Sequence, residues 1–335
     1  MNNLTGTKHG SMGKTVGRFH LFFRNRFIFA FFILVFCLFS CKEKNNTGTG
    51  TSFQTSAIKE TAISDDTALS HSEKLRIASL APALTTILAG LGLADSLVAV
   101  DTWSAERADV PVDAVRFDMM NPDAERLALL EPDLIFVSTI TQAGTNRDPF
   151  KPLSEAGARV EYMATSASIA GIRDDVTRIA ELTGTQKAGH ELVAQMDTEI
   201  DRISAVARSI PESERRTVVF EIAPAPYIYS FGSGVYLNEL LETVGAVNAL
   251  ADEKGWISVS AETIVAADPD VILTNVNYLD DSIAEIKARP GWSDMKAVKT
   301  GRVFYIDNTT SSQPAPDIVK ALNEIAKAVY PEYFK

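Results

Sequence analysis

Short apolar runs alternate with segments of helical periodicity from about residue 74 to the end of the chain. Arg76-Ile77-Ala78-Ser79-Leu80-Ala81-Pro82 has the pattern of a buried strand that ends at an Ala-Pro step, and residues 217–224 (TVVFEIAP) have the same pattern. Buried strands that alternate with helices are typical of α/β domains. The pattern therefore predicts an α/β fold for this part of the chain.

The same order of elements occurs twice along the chain. Glu125 is followed six residues later by Glu131-Pro132-Asp133, and Glu262 is followed six residues later by Asp268-Pro269-Asp270. In each copy a short helix should break at the proline and lead into a buried strand. A third match pairs residues 158–162 (ARVEY) with residues 301–305 (GRVFY). These matches predict two similar Rossmann-like lobes, at residues 74–167 and 211–335.

Residues 168–210, between the two lobes, have helical periodicity. Apolar residues recur at helical spacing up to Gly184, and a second set continues to Pro211. The glycine should end the first segment. The second covers about 25 residues, or roughly 38 Å at the usual helical rise. We expect one long interdomain helix that joins the lobes stiffly, limits their closure and leaves a ligand cleft between them.

The N-terminal 73 residues differ from the rest in composition. Residues 1–40 contain basic residues and no acid, and an apolar run at 27–39 precedes Ser40-Cys41. This pattern predicts a secretory signal peptide at 1–40. A run of about 13 residues is short for a transmembrane helix, which needs roughly 20. Residues 41–73 are rich in small polar residues and predict a flexible tether.

The charge and the cysteine content of the sequence limit the kinds of protein that it can encode. The sequence has 32 basic and 43 acidic residues, a formal net charge of −11. Five of the basic residues precede Cys41, so removal of the signal would make the domain more acidic still, and ill-suited to nucleic acid. Cys37 and Cys41 are the only cysteines, so the exported domain should contain no disulfide. We expect a domain that is stabilised by its core alone.

These features together resemble the helical-backbone (class III) ABC-transporter solute-binding proteins, a family that binds ferric siderophores, cobalamin or haem. The resemblance covers about residues 75–333 and rests on the opening strand and helix at 76–95 and on the repeated Glu-x5-acid-Pro-Asp motif. In that family one glutamate on each lobe docks into arginines of the membrane permease. The matching positions are Glu125 and Glu262.

The resemblance also implies a location and partners. Residues 38–41 (LFSC) are similar to the bacterial lipobox, which implies cleavage before Cys41 and lipidation of that cysteine; a plain signal peptide is the alternative. The implied protein is an exported, lipid-anchored monomer, periplasmic or at the cell surface. It would capture a small-molecule ligand and deliver it to a permease dimer with its ATPase.

The candidate ligand-binding residues lie on loops after predicted strands, where ligands of open α/β sheets bind. They are Trp103, Asp118, Thr141, Phe231, Ser233, Trp256, Tyr278 and Asn308. Anionic siderophores would require several arginines, and only Arg107 and Arg147 occur nearby. The residues favour a bulky, weakly charged metal chelate, such as a corrinoid or a ferric hydroxamate siderophore. We expect no resident cofactor and no resident metal.

Two other functions remain open at this stage. A ligand-sensing receptor lipoprotein would share the fold and differ only in its partner. A chelatase-like enzyme would need a poised base or nucleophile, for which the loops offer only the carboxylates of Asp101, Asp118 and Asp307. Beyond the tether His190 is the only histidine, which excludes a three-histidine zinc site. We therefore expect no enzymatic activity.

Overall fold

Two parallel sheets carry the fold in the part of the chain that the structure describes. The computed structural model describes residues 74–104, 107–143 and 148–335, all within one compact unit. The predicted signal peptide, Cys41 and the tether lie outside the described residues. No helix in the described ranges is long and apolar enough to cross a membrane.

The N-terminal lobe contains a five-stranded parallel sheet, as far as the chain is described, in the order β3-β2-β1-β4-β5. Its strands are β1 (Ile77–Ser79), β2 (Leu97–Asp101), β3 (Val115–Phe117), β4 (Leu134–Ser138) and β5 (Arg159–Met163). The two central strands, β1 and β4, are buried along their whole length. Burial on both faces of a parallel sheet explains why these strands are unbroken apolar runs in the sequence.

Short helices connect these strands. They are α1 (Pro82–Gly90), α2 (Ala124–Ala128), α3 (Thr139–Ala143) and α4 (Lys151–Glu155). Pro82 begins α1, a position where a helix loses nothing by lacking the backbone N–H. Asp123 caps α2 by accepting a hydrogen bond from the backbone N–H of Arg126 at 2.9 Å.

The helical stretch between the lobes consists of two helices, α5 (Ile169–Thr183) and α6 (Gln186–Ala207). Gly184 ends α5 in the left-handed conformation, as expected. The prediction of one long interdomain helix is confirmed for α6, which has 22 residues and is roughly 33 Å long. Near its start Leu192 packs against Gly90 of the N-terminal lobe, and near its end Ile203 lies in the core of the C-terminal lobe.

The C-terminal lobe contains a parallel sheet in the order β11-β10-β6-β8 and an antiparallel pair, β7 with β9. Its strands are β6 (Thr217–Glu221), β7 (Tyr229–Phe231), β8 (Val247–Asn248), β9 (Trp256–Ser258), β10 (Val271–Thr274) and β11 (Val303–Tyr305). Its helices are α7 (Tyr236–Thr243), α8 (Ala261–Ala267), α9 (Ser282–Ala288), α10 (Lys296–Lys299), α11 (Asn308–Ser311) and α12 (Ile318–Val329).

The two sheets repeat each other, as the sequence matches predict. The order β2-β1-β4-β5 in the first corresponds to β8-β6-β10-β11 in the second. Glu131 follows α2 with a φ of 44°, and Asp268 follows α8 with a φ of 40°. Among the described residues, no other non-glycine residue has a positive φ. Each is followed by a proline, an aspartate and a central strand, so the repeated motif forms the same turn in both lobes.

The aspartate of each motif joins two central strands. The carboxylate of Asp133 accepts a hydrogen bond from the backbone N–H of Arg76 at 2.8 Å, and the Asp133 N–H donates to the Arg76 carbonyl at 2.8 Å. The carboxylate of Asp270 accepts from the N–H and the hydroxyl of Thr217, both at 2.9 Å, and its N–H donates to the Thr217 carbonyl at 3.0 Å. This aspartate clamp fixes the amino ends of β4 and β10 against β1 and β6.

We predict that Asp133→Ala and Asp270→Ala each lower the free energy of unfolding by about 1–3 kcal/mol, because a strand N–H loses its acceptor. Urea unfolding followed by circular dichroism measures the effect. Asp113→Ala, at an exposed position of the same lobe as Asp133, is the control and should change stability by about 0.5 kcal/mol or less. Equal effects for Asp270→Ala and Asp113→Ala would show that the clamp does not stabilise the sheets.

Candidate functional site

The carboxyl ends of the two sheets face each other. Helix α1 begins just after β1 and α11 just after β11, so both start at the carboxyl end of their sheet. Thr86 on α1 donates a hydrogen bond to the side-chain oxygen of Gln313, which follows α11, at 3.1 Å. The loops at these ends therefore border a shared cleft between the lobes, the place where ligands of open α/β sheets bind.

A buried carboxylate shapes the loop that carries Trp103. Asp101, at the end of β2, is 0% exposed and accepts hydrogen bonds from the N–H groups of Trp103 and Ser104 at 2.9 and 3.0 Å. It also accepts from the Ser104 hydroxyl at 2.5 Å. Burial raises the pKa of the Asp101 carboxyl, and these donors partly oppose that effect. The resulting turn leaves 39% of Trp103 exposed on the loop that follows β2.

The neighbouring loop contains Asp118, which is exposed and accepts a hydrogen bond from the Met120 N–H at 2.9 Å. Thr141 is only 1% exposed, and its hydroxyl donates to the Met119 carbonyl at 3.0 Å. Asp118 is thus accessible on the loop that follows β3, and its contact with a ligand stays a prediction. The prediction that Thr141 binds ligand is wrong for this conformation, because its hydroxyl ties α3 to the loop.

The C-terminal side of the cleft has a shallow pocket of about 310 Å³ beyond β10 and β11. Val276, Leu279, Asp280 and Tyr305 are part of its lining. Tyr305 is 40% exposed, and Tyr278, which lies between Val276 and Leu279 in the sequence, is 41% exposed. These side chains give the C-terminal wall an aromatic and acidic surface.

Asn308 lies beside this pocket at the start of α11. It is half-buried, and its side-chain amide donates to the Asn275 carbonyl at 2.7 Å. The Asn275 amide in turn donates to the hydroxyls of Ser311 and Ser312 at 3.0 and 3.1 Å. Asn308 therefore holds together the two loops that follow β10 and β11.

The glycine-rich loop at 232–234 packs against the backbone of residues 253–255. Phe231 is 0% exposed and packs in the core, with its ring 5.8 Å from that of Phe220. The Ser233 hydroxyl donates to the Glu253 carbonyl at 3.0 Å. A Cβ on Gly232 would lie 2.1 Å from that same oxygen. The glycine allows two backbone segments to approach each other. The predicted ligand contact of the buried Phe231 is wrong, and that of Ser233, which is half-buried, stays a prediction.

Trp256 packs against the edge of this core. It is half-buried, and its ring makes edge-to-face contacts with Phe231 and Tyr236 at centroid distances of 5.9 and 5.8 Å. The Tyr236 hydroxyl donates to the Ser311 carbonyl at 3.0 Å. Trp256 therefore packs on residues that support the cleft loops, and part of its surface remains accessible.

The charged groups near the cleft are mostly used within the protein. Arg107 donates two hydrogen bonds to Asp109, at 2.9 and 2.8 Å, and one to the Thr86 hydroxyl at 2.8 Å. Asp307 caps α11 by accepting from the Thr310 N–H at 2.8 Å. Arg147 lies outside the described residues. Among the described residues, no three His, Cys, Asp or Glu side chains form a group that could hold a metal ion.

Tyr227 is a cleft candidate that sequence reasoning missed. It is 77% exposed on the turn that follows β6. The segment Pro224-Ala225-Pro226-Tyr227 was the available signal, because two prolines so close to a strand end predict a turn. Tyr305 belongs to the matched segment 301–305, whose pattern indicates only a strand and gives no signal that this side chain is accessible.

The two repeated glutamates occupy equivalent positions. Glu125 and Glu262 are both exposed, in the first turns of α2 and α8. Ser260 caps α8 through a hydrogen bond from the Thr263 N–H at 3.1 Å. Hydrogen bonds from its own backbone N–H and from Ser260 lower the pKa of the Glu262 carboxyl, which is therefore charged at neutral pH.

The two-lobed fold and the facing cleft agree with a comparison to known families. A model of the periplasmic binding protein family matches residues 77–310. The chain belongs to this family. Periplasmic binding proteins are extracytoplasmic, non-enzymatic components of transport systems that bind a solute.

Individual relatives of this periplasmic binding protein support the assignment. It is 31% identical over 266 residues to the uncharacterized ABC transporter substrate-binding lipoprotein YvrC of Bacillus subtilis, covering 78% of this chain and 82% of the relative. It is 26% identical over 273 residues to a cobalamin-binding protein of Halobacterium salinarum, covering 77% and 70%. A possible iron-binding (periplasmic solute-binding) protein of Staphylococcus epidermidis is 32% identical, with a TM-score of 0.68 over 76% of this chain and 98% of that structure.

We predict that Gly232→Ala lowers the free energy of unfolding by about 1–3 kcal/mol, because the added Cβ forces the Glu253 backbone away. Thermal or urea unfolding measures the change. Ser213→Ala, at an exposed position, serves as the control. A Gly232→Ala protein as stable as this control would mean that the loop accommodates a side chain and has no structural need for glycine.

Proposed function

We propose that this protein captures a bulky metal chelate of low net negative charge, a corrinoid or a ferric hydroxamate siderophore, and delivers it to an ABC importer. The observation that carries the proposal is the set of exposed aromatic side chains at the carboxyl ends of both sheets: Trp103, Tyr227, Tyr278 and Tyr305. Large apolar surfaces with a few polar groups suit a bulky ligand. The metal would arrive inside the ligand, and the protein would need no resident cofactor.

The charges at the cleft favour the same ligands. Asp118 and Asp280 are exposed, the first on the loop after β3 of the N-terminal lobe and the second on the loop after β10 of the C-terminal lobe. Arg107, which sequence reasoning placed near the ligand, has its guanidinium paired with Asp109. Citrate and catecholate chelates are anionic and would be repelled by these carboxylates unless several free arginines opposed them. The cobalamin-binding relative agrees with a corrinoid, and the S. epidermidis structure agrees with an iron chelate.

We predict that cobalamin or a neutral ferric hydroxamate raises the melting temperature of the purified protein, whereas ferric citrate and ferric catecholates do not. At a ligand concentration 100-fold above the dissociation constant, binding to the native state adds about 2.7 kcal/mol. Haem is tested in the same series, because it is an aromatic macrocycle that also carries carboxylates.

Trp103→Ala should weaken binding about tenfold, because the ligand loses an aromatic contact. Leu129→Ala, at another exposed apolar position, should leave binding unchanged. A shift with ferric citrate alone would contradict the proposed ligand class. The absence of a shift with every chelate would contradict the proposed function.

The proposed function requires a membrane partner. We propose that Glu125 and Glu262 contact basic residues of the permease dimer, one from each lobe. Both lie on the first turn of a helix that leads into the same repeated turn, so the lobes present them in equivalent ways. Such exposed charges set orientation and association rate more than affinity. Lipidation of Cys41 would hold the monomer near that partner.

We predict that Glu125→Gln combined with Glu262→Gln reduces ligand uptake by cells and leaves ligand affinity in solution unchanged, because the charges contact the permease and not the ligand. Uptake of labelled ligand at matched protein levels is the measurement. Glu181→Gln, an exposed position on α5, is the control. Normal uptake by the double variant would rule out docking through these residues.

A further inference from the structure

A partly buried side-chain hydrogen bond connects the two lobes directly. Thr86 lies one turn into α1 and is only 4% exposed. Its hydroxyl donates to the side-chain oxygen of Gln313 at 3.1 Å. Gln313 lies between α11 and α12, so this bond joins the N-terminal lobe to the C-terminal lobe beside the carboxyl ends of their sheets.

Arg107 fixes the direction of that bond. Its Nη1 donates to the Thr86 hydroxyl at 2.8 Å, so the hydroxyl oxygen acts as an acceptor and its single proton is left to point towards Gln313. The hydrogen bonds of such a chain strengthen one another. Arg107 is therefore a positioning residue for the contact between Thr86 and Gln313.

Asp109 holds Arg107 in place. It also connects this group of polar side chains electrostatically to the C-terminal lobe. It accepts hydrogen bonds from Nε and Nη2 of Arg107 at 2.9 and 2.8 Å, a bidentate pair of fixed geometry. The hydrogen bond from Arg107 lowers the pKa of the Asp109 carboxyl, and Lys320 on α12 lowers it further. Residues of both lobes thus stabilise the charged form of Asp109.

We propose that Thr86, Gln313 and Arg107 form an interlobe latch that sets the distance between the two lobes, and so controls ligand access to the cleft. The control of ligand access rests on the proposed function, whereas the effect on the distance between the lobes does not. Because α6 packs on both lobes, we expect their relative motion to be small. A single partly buried hydrogen bond can then shift the ratio of open to closed molecules roughly fivefold.

The test measures the distance between the lobes without any ligand. Cys37→Ser and Cys41→Ser remove the only native cysteines, and Val112→Cys with Lys287→Cys places one exposed thiol on each lobe. Spin labels on this full-length protein in detergent report the distance distribution by double electron–electron resonance. If the protein bound none of the chelates, the proposed function would be contradicted, but the measured distance between the lobes would still test the latch.

Thr86→Val and Gln313→Leu should each shift or broaden the distribution towards longer distances. Thr86→Ser keeps the hydroxyl and should give the native distance distribution. If the role of Thr86 were purely steric, loss of its methyl group would be expected to change the distances. The double variant Thr86→Val with Gln313→Leu should resemble either single variant, because both changes remove the same bond. Arg107→Met should cause a shift in the same direction.

Gln195→Leu, at an exposed position on α6, is the matched control and should not alter the distances. If Thr86→Val proves unable to fold, Gln313→Leu gives the answer alone, since Gln313 lies in a half-buried connection. A native distribution in folded Gln313→Leu would overturn the latch. A double variant in which the two effects add would overturn the assignment of both residues to one bond.

Discussion

Each lobe depends on a carboxylate that holds the amino ends of two central strands together. Asp133 joins β4 to β1, and Asp270 joins β10 to β6. A slip of one residue in a strand would turn every side chain to the opposite face, so this contact determines which residues emerge at the carboxyl ends. The positive-φ residue and the proline before each aspartate end the helix that carries Glu125 or Glu262. One short motif thus fixes both the cleft loops and the exposed glutamates.

This motif is also the part of the fold that could be predicted from the sequence. Its residues act over a few positions: a proline stops a helix, and a following apolar run forms a buried strand. The same holds for Gly184, which ends α5 without help from distant residues. The hydrogen bonds from Asp133 and Asp270 were not predictable, because their partners lie more than fifty residues earlier in the chain.

The candidate site was predicted less well than the fold. Position after a strand predicts that Trp103, Asp118 and Tyr278 lie at the cleft, because parallel strands all end at one edge. All three are exposed on loops that follow strands, and their ligand contacts stay predictions. The same reasoning failed for Phe231, whose strand β7 pairs antiparallel with β9 and turns the ring into the core. In the sequence, Asp101 and Asp307 are candidates for a base or nucleophile. In the structure, both carboxylates accept hydrogen bonds from nearby backbone groups. Such local use is common for aspartate in turns and caps.

A stiff connection between the lobes agrees with an aromatic cleft. With α6 packed on both lobes, we expect the cleft to close little around a small solute and to leave it partly hydrated. A bulky, largely preformed ligand does not need such closure, because broad apolar contact depends on area more than on exact hydrogen-bond geometry. The free energy difference between the open and closed forms of the protein must then come from the few contacts that cross the cleft. The hydrogen bond from Thr86 to Gln313 is such a contact, so ligand access and lobe spacing should depend on the same small group of side chains.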